Sequence, residues 1–156
     1  MRIGFGFDTH RLEAESDFYL GGVLIPSPKG AVGHSDADVL IHAICDALFG
    51  AAALGDIGQH FPDTSPEFHG IDSKILLTRT CGLIRKAGYS IQNVDTTVVL
   101  QTPKLCPHIP AMVQSLASVM GIHPGQLSIK AKTNEKLGFI GREEGVSAYA
   151  VALLAE

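Results

Sequence analysis

Along residues 2–10, Ile3, Phe5 and Phe7 alternate with glycine and polar positions at a period of two, which predicts a first strand. Phe18 to Ile25 consists of two short apolar pieces split by Gly21-Gly22, the pattern of a small hairpin. Pro26, Pro28 and Gly30 then break the periodicity and predict a loop. Beyond them the period changes. Val39, Leu40, Ala43, Ile44, Ala47 and Leu48 recur at helical spacing behind the capping-type residues Ser35 to Asp38, so a helix is expected from about Asp38 to Ala53. Gly55 to Gly70 contains Pro62, Pro66 and three glycines, too many breakers for an element, and reads as one long loop. Loops of that length in compact domains are often functional.

Asp72-Ser73 is expected to cap a second helix running to about Ala87, with Arg85 and Lys86 near its negative end and Gly88 as its stop. The β-branched stretch Val94 to Leu100 predicts a strand, Pro103 and Pro107 a loop, and Pro110 the start of a helix that continues through Ala111 to Met120. Leu127 to Ala131 and Val146 to Leu154 are the last strands, separated by a turn or short helical segment at Thr133 to Gly138. The order strand, hairpin, helix, helix, strand, helix, strand, strand predicts an α+β two-layer sandwich, a mixed β-sheet with helices on one face. In the last strand Val146, Ala148, Ala150 and Ala152 occupy one face and Tyr149, Val151 and Leu153 the other, so both are apolar. Helices can cover only one side, and the other is expected to meet a further subunit unless the chain's own loops cover it.

The length of 156 residues predicts a single domain, residues 1–156, and 46% hydrophobic against 18% charged residues excludes a disordered chain. Cys45, Cys81 and Cys106 are odd in number and irregularly spaced, which excludes a disulfide scaffold and fits a reducing, cytoplasmic setting. A net charge of −4 argues against nucleic acid as a partner. No apolar run approaches the roughly 18 residues of a bilayer span, so no membrane partner is expected. Arg2 is followed by a glycine-punctuated stretch and not a signal-peptide core. The charge is unevenly placed: Asp8 to Asp63 carries nine carboxylates against Arg11 and Lys29, whereas residues 64–156 carry nine bases against seven acids. One half suits a cation and the other an anion.

Asp8 and His10 are two apart on a strand, so their side chains leave one face and can share an ion. His42 lies on the first helix with Asp38 one turn before it and Asp46 one turn after. One carboxylate and two imidazoles form a three-ligand set that leaves a position open for water or substrate, a catalytic arrangement. Either Asp46 or Asp38 could orient His42 by accepting its other ring proton. The same residues also suit a strand ending in water and a hydrogen-bonded helix histidine. His34-Ser35-Asp36 ahead of the helix could offer N–H groups to a phosphate, or act as an ordinary cap. Lys104, Lys130, Lys132, Lys136 and Arg142 surround a single Glu135 in sequence, which suits a polyphosphate with a second divalent cation, or a solvated surface. No P-loop, nucleophile elbow or Cys-x-x-Cys pair occurs, so nucleophilic serine or cysteine catalysis has no support.

Taken together, Arg2-Ile-Gly-Phe-Gly-Phe-Asp-Thr-His10, His34-Ser-Asp-Ala-Asp-Val39, His42, Gly50-Ala-Ala-Ala-Leu-Gly-Asp-Ile-Gly58, Phe61-Pro-Asp63, Pro103-Lys104, and Lys130 to Gly138 with Phe139 and Arg142 resemble the 2-C-methyl-D-erythritol 2,4-cyclodiphosphate synthase family. The stretches run in family order over essentially the whole chain. The resemblance implies a homotrimer with active sites between neighbouring subunits, zinc on Asp8, His10 and His42, and magnesium or manganese on Glu135. Thr9 lies within the substrate-contacting stretch. His34 and Ser35 match the phosphate-contacting segment, and His34 and Thr133 the stabilisers of the transition state. Asp56, Ile57, Gly58, Phe61, Pro62, Asp63, Thr64 and Ser65 match the loop holding the methylerythritol phosphate. Leu100, Gln101, Thr102, Pro103, Lys104, Leu105 and Cys106, with Lys132, Thr133, Asn134 and Glu135, match the neighbouring subunit's cytidine-diphosphate pocket. Phe139 and Arg142 match residues near its phosphate end and the trimer channel. The chain departs from the family at Lys132 and Asn134, where small hydroxyl residues are usual, and at Ala37, often glycine.

The activity so implied is closure of 4-diphosphocytidyl-2-C-methyl-D-erythritol 2-phosphate to the cyclic diphosphate with release of CMP, a phosphorus–oxygen lyase reaction of non-mevalonate isoprenoid synthesis. It needs positioning and charge neutralisation, because a phosphate nucleophile is already ionised. Two readings compete with it, a zinc phosphohydrolase and a non-catalytic trimeric metal- or isoprenoid-binding module.

Overall fold

Strand β1 (Arg2–Ala14) alternates as its sequence requires and then continues past His10, because Arg11 to Ala14 find antiparallel partners in β4 (Lys29–Val32). That short strand follows the two prolines, so the loop expected at residues 26–30 gives way to pairing at Lys29, where N–H donors return. Between them, β2 (Tyr19–Leu20) and β3 (Val23–Leu24) form the expected hairpin around Gly21-Gly22, whose φ angles of 60° and 72° suit glycine. The computed structural model describes residues 1–156.

Helix α1 (Val39–Ala52) begins and ends where its pattern predicts, with Asp38 as N-cap and Ala53 left-handed at its end. The breaker-rich stretch after it is more ordered than a plain loop. It contains the short helix α2 (Ile57–His60), capped by Asp56, and a single tight turn at Pro66–Phe68. His60 stacks on Phe49 at 4.1 Å, and its Nε2 lies 2.8 Å from the Leu54 carbonyl, tying the stretch to α1. Helix α3 (Ser73–Lys86), strand β5 (Ser90–Val99), helix α4 (Ile109–Met120), strand β6 (Leu127–Lys132), the short α5 (Gly138–Gly141) and strand β7 (Gly145–Ala155) complete the chain.

Five strands form one mixed sheet in the order β4-β1-β7-β5-β6, with β5 and β6 parallel and the other pairs antiparallel. The architecture is the expected mixed α+β arrangement. Gly4 and Gly6 explain how α1 lies so close to β1. A Cβ on Gly4 would run into the backbone of Ala47 and Ala51, and one on Gly6 into that of Ala43 and Ala47. The sheet residues between these glycines point the opposite way, so Ile3, Phe5, Phe7, Tyr149 and Val151 are between 37% and 73% exposed on the far face. Phe7 and Tyr149 pair there at 5.1 Å. Buried side chains of the hairpin, α1, α3, α4 and the sheet form one continuous core.

Register carries the candidate chemistry to one end of the sheet. Ser147 of β7 lies opposite both Thr9 of β1 and Val99 of β5, while Val99 lies opposite Lys132 of β6.

Candidate metal centre and cleft

On β1, Asp8 and His10 follow Gly4 and Gly6 on the face toward α1, and His42 comes down from α1's first turn to meet them. Asp8 Oδ2 lies 3.1 Å from His10 Nδ1 and 3.0 Å from His42 Nδ1. The ligand atoms of the three residues all fall within 4.8 Å of one another. His10 Nδ1 is buried and makes no hydrogen bond of acceptable geometry, although Asp8 is close. A buried nitrogen left without a partner is costly, and a metal lone-pair acceptor would satisfy it. One oxygen and two imidazole nitrogens therefore fit a divalent ion of the zinc type. Burial opposes ionisation of Asp8, but the imidazoles of His10 and His42 beside it outweigh burial and hold the carboxyl well below the usual range.

The other side of the His42 ring is occupied differently from what spacing predicts. Its Nε2 lies 3.0 Å from Ser73 Oγ and 3.1 Å from Ser35 Oγ. Neither Asp38 nor Asp46 orients it. Asp38 is fully buried and accepts the N–H groups of Gly21, Gly22 and Ile41, fastening the hairpin turn to the start of α1; burial pushes its carboxyl up. Asp46 accepts the Ile57 N–H at 2.7 Å, fixing the start of α2 against α1, and burial raises its carboxyl too. The anion site expected at α1's N-terminus is also altered, since the cap takes up the Ile41 N–H and Ser35 Oγ accepts that of Ala37. Ala37 has a φ of 58°, a left-handed conformation, which accounts physically for glycine suiting this position.

A cleft of about 360 Å³ brings Asp8, His10 and His42 together with His34, Ser35, Ile57, Gly58, Phe61 and Asp63. Asp46, expected from helix spacing beside His42, lines it as well, as do Phe68 and Leu76, which had no local signal of a site. His34 Nε2 lies 3.1 Å from the Ser65 carbonyl, which sets the 61–65 segment as the cleft's wall, and Phe61 and Phe68 meet edge to face at 5.5 Å. Asp56 caps α2 through the Gln59 N–H at 2.9 Å. Thr9 points to the opposite face of the sheet, 2.7 Å from Ser147 Oγ, and Pro62 and Thr64 do not line the cleft.

A second hollow, about 170 Å³, is lined by Leu100, Gln101, Pro103, Lys104, Leu105 and Cys106 from the loop after β5, and by Ala131, Lys132 and Thr133 from the end of β6. Thr102 is not among its lining residues. Beside it the Glu135 carboxylate accepts the Thr133 hydroxyl at 2.9 Å and is otherwise exposed, a fit for a hydrated cation that takes one carboxylate and substrate phosphates. Asn134 Nδ2 donates to the Leu137 carbonyl at 2.8 Å, bracing this turn. Phe139 is 45% exposed, and Arg142 forms a two-point pair with Glu144 at 3.0 and 3.1 Å. Within one chain the two hollows share no lining residue.

Fold and site define an α+β protein with a cluster of one carboxylate and two imidazoles, able to hold a divalent metal, at the end of a mixed sheet. The profile of the YgbB family matches residues 1–155, and the chain belongs to that family. The 2-C-methyl-D-erythritol 2,4-cyclodiphosphate synthase of Porphyromonas gingivalis (strain ATCC 33277) is 60% identical over 153 residues, 98% of this chain and 94% of the relative. A solved 2C-methyl-D-erythritol-2,4-cyclodiphosphate synthase in its CDP-bound form superposes with a TM-score of 0.91 at 42% identity, over 99% of this chain and all of the other. The bifunctional IspDF from Campylobacter jejuni superposes with a TM-score of 0.94 at 39% identity over 98% of this chain, which spans 42% of that longer protein.

Proposed function

We propose that the chain is a 2-C-methyl-D-erythritol 2,4-cyclodiphosphate synthase of non-mevalonate isoprenoid synthesis, a CMP-releasing lyase acting as a single domain, residues 1–156, in a reducing cytoplasm. One observation carries this reading: Asp8, His10 and His42 converge with His34, Ser35 and the 57–63 segment in one cleft, in a chain 60% identical to a named synthase. An oxygen of the substrate's 2-phosphate bonds to the β-phosphorus, the bond from that phosphorus to the bridging oxygen breaks, and CMP leaves with the oxygen. No water enters and no base is required.

Zinc on Asp8, His10 and His42, and magnesium or manganese on Glu135, would neutralise the diphosphate and polarise its oxygens. The chain's own groups position the ends. Ile57, Gly58 and Phe61 to Ser65 hold the methylerythritol phosphate, with Asp56 fixing α2. His34, Ser35 and Thr133 stabilise the phosphoryl oxygens as charge builds. Leu100 to Cys106 and Lys132 to Glu135 take the cytidine diphosphate, and Phe139 and Arg142 flank its phosphate end.

The two hollows of one chain are separate, and the apolar face around Phe5, Phe7 and Tyr149 is exposed, which supports a homotrimer whose sites each combine the metal half of one subunit with the nucleotide half of the next. Incubation with the cytidyl substrate, zinc and magnesium, followed by mass spectrometry, tests the activity. A cyclic product lacking any added water, with equimolar CMP, is expected. A product heavier by one water would identify a phosphohydrolase, and ligand binding with no CMP release a binding module.

A further inference from the structure

Ser73 is fully buried at the first turn of α3, and its surroundings fix which way its proton points. Its hydroxyl donates to Asp36 Oδ1, while its own N–H donates to Asp36 Oδ2 at 2.9 Å. A carboxylate only accepts, so this bond has one direction. The Ser73 oxygen is left with lone pairs, 3.0 Å from His42 Nε2, and can only accept from the ring. His42 then carries its proton on Nε2. The opposite nitrogen, Nδ1, faces Asp8 Oδ2 at 3.0 Å, where the carboxylate accepts a ring proton that a metal ion would displace. Ser35 lacks this commitment. Its oxygen lies 3.1 Å from the same Nε2 and accepts the Ala37 N–H, but its own proton is free to turn toward His42.

We propose that Ser73, locked by Asp36, is a positioning residue that holds His42 as the Nε2–H tautomer and so presents Nδ1 to the metal. The inference rests on the reading of Asp8, His10 and His42 as a metal centre. The lock is tied to the fold: the Asp36 N–H donates to the Ile71 carbonyl at 3.1 Å and the Gly70 N–H to the His34 carbonyl at 2.7 Å, so the segments carrying Asp36 and Ser73 are stitched together. Without the Ser73 oxygen, Ser35 can give its proton to Nε2 and stabilise the Nδ1–H tautomer, which has no lone pair for the ion. Partners of this kind change metal affinity 10- to 100-fold.

The test uses the full-length protein labelled with 15N-histidine. In the zinc-loaded parent, long-range proton–nitrogen spectra are expected to show His42 protonated at Nε2 and metal-shifted at Nδ1. Competition with a chelator is expected to show zinc binding about 10- to 100-fold weaker in Ser73→Ala. It is expected to be weakened in the same direction in Asp36→Asn, whose amide can donate to Ser73 and free the serine proton for the ring. A His42 protonated at Nδ1 in the loaded parent, or parental zinc affinity in both variants, would overturn the assignment. If Ser73→Ala fails to fold, the parent spectrum decides alone. A parent that binds no zinc would overturn the metal centre itself, whereas zinc binding unaffected by both substitutions sinks only the role of Ser73.

Discussion

The imidazole of His10 rests on the backbone of Gly33: a Cβ built there would lie 2.9 Å from Nε2 and 3.0 Å from Cδ2. Gly33 does not have a positive φ, so alanine would bring crowding without left-handed strain. Gly33→Ala is expected to push the ring off the metal position, weakening zinc binding about tenfold, with little change in the melting temperature of the metal-free protein. Chelator competition and thermal unfolding measure the two. Unchanged zinc affinity would count against packing as the means of holding His10.

Gly6→Ala acts on the scaffold instead. The added Cβ meets the α1 backbone at Ala43 and Ala47, and a helix backbone does not turn aside as a side chain does. A loss of about 3 kcal/mol or more in denaturant unfolding is expected, at or above the upper end for overpacked cores. Near-parental stability would mean that α1 rides further from β1 in solution.

The cysteines separate the interior from the second hollow. Burial pushes the Cys81 thiol up to about 11 and the Cys45 thiol higher still, while Cys106 is exposed. A thiol-specific disulfide reagent near neutral pH is expected to modify one cysteine per native chain and all three after unfolding. CDP is expected to slow the native reaction, because Cys106 and Lys104 line the same hollow. Reaction at an unchanged rate under saturating CDP would count against the nucleotide assignment.

The proposed metal and nucleotide residues can be separated genetically. His42→Ala is expected to abolish tight zinc binding, read as metal content after gel filtration, since two ligands are too few for a stable site. Light scattering is expected to give a trimer and not a 16.5 kDa monomer. Asp8→Ala and Lys104→Ala subunits, each nearly inactive alone while folded and trimeric, are expected to regain activity when co-expressed. Confirmed mixed trimers without recovery would place the whole site within one chain.

Local pattern was enough for α1, α3, α4 and the last three strands, because each element carries its own period and its own stops. Strand β4 was hidden because its four residues acquire meaning only from Arg11 to Ala14. The set of Asp8, His10 and His42 was legible from strand and helix position beside a reading without a metal, and the family resemblance favoured the metal. The supporting partner of His42 was misplaced for a physical reason. Helix spacing puts Asp38 and Asp46 along the stripe of His42, but the hairpin's N–H groups claim the first and the Ile57 N–H claims the second. Ser73 is 31 residues from His42 and looks like a helix start, so nothing local advertises it.

The wall formed by residues 57–72 is fastened at both ends. Asp46 grips it at Ile57, and the His34–Gly70 and Asp36–Ile71 bonds grip the far end. Between these anchors, the His34 ring at Ser65 and the Arg79–Glu67 pair at 2.7 Å join it to the body of the protein. Breathing of this hoop is therefore confined to its middle. Amide protons from Phe61 to Phe68 should exchange with solvent through openings that leave Asp8, His10 and His42 in register, so a ligand can come and go without the metal site ever melting.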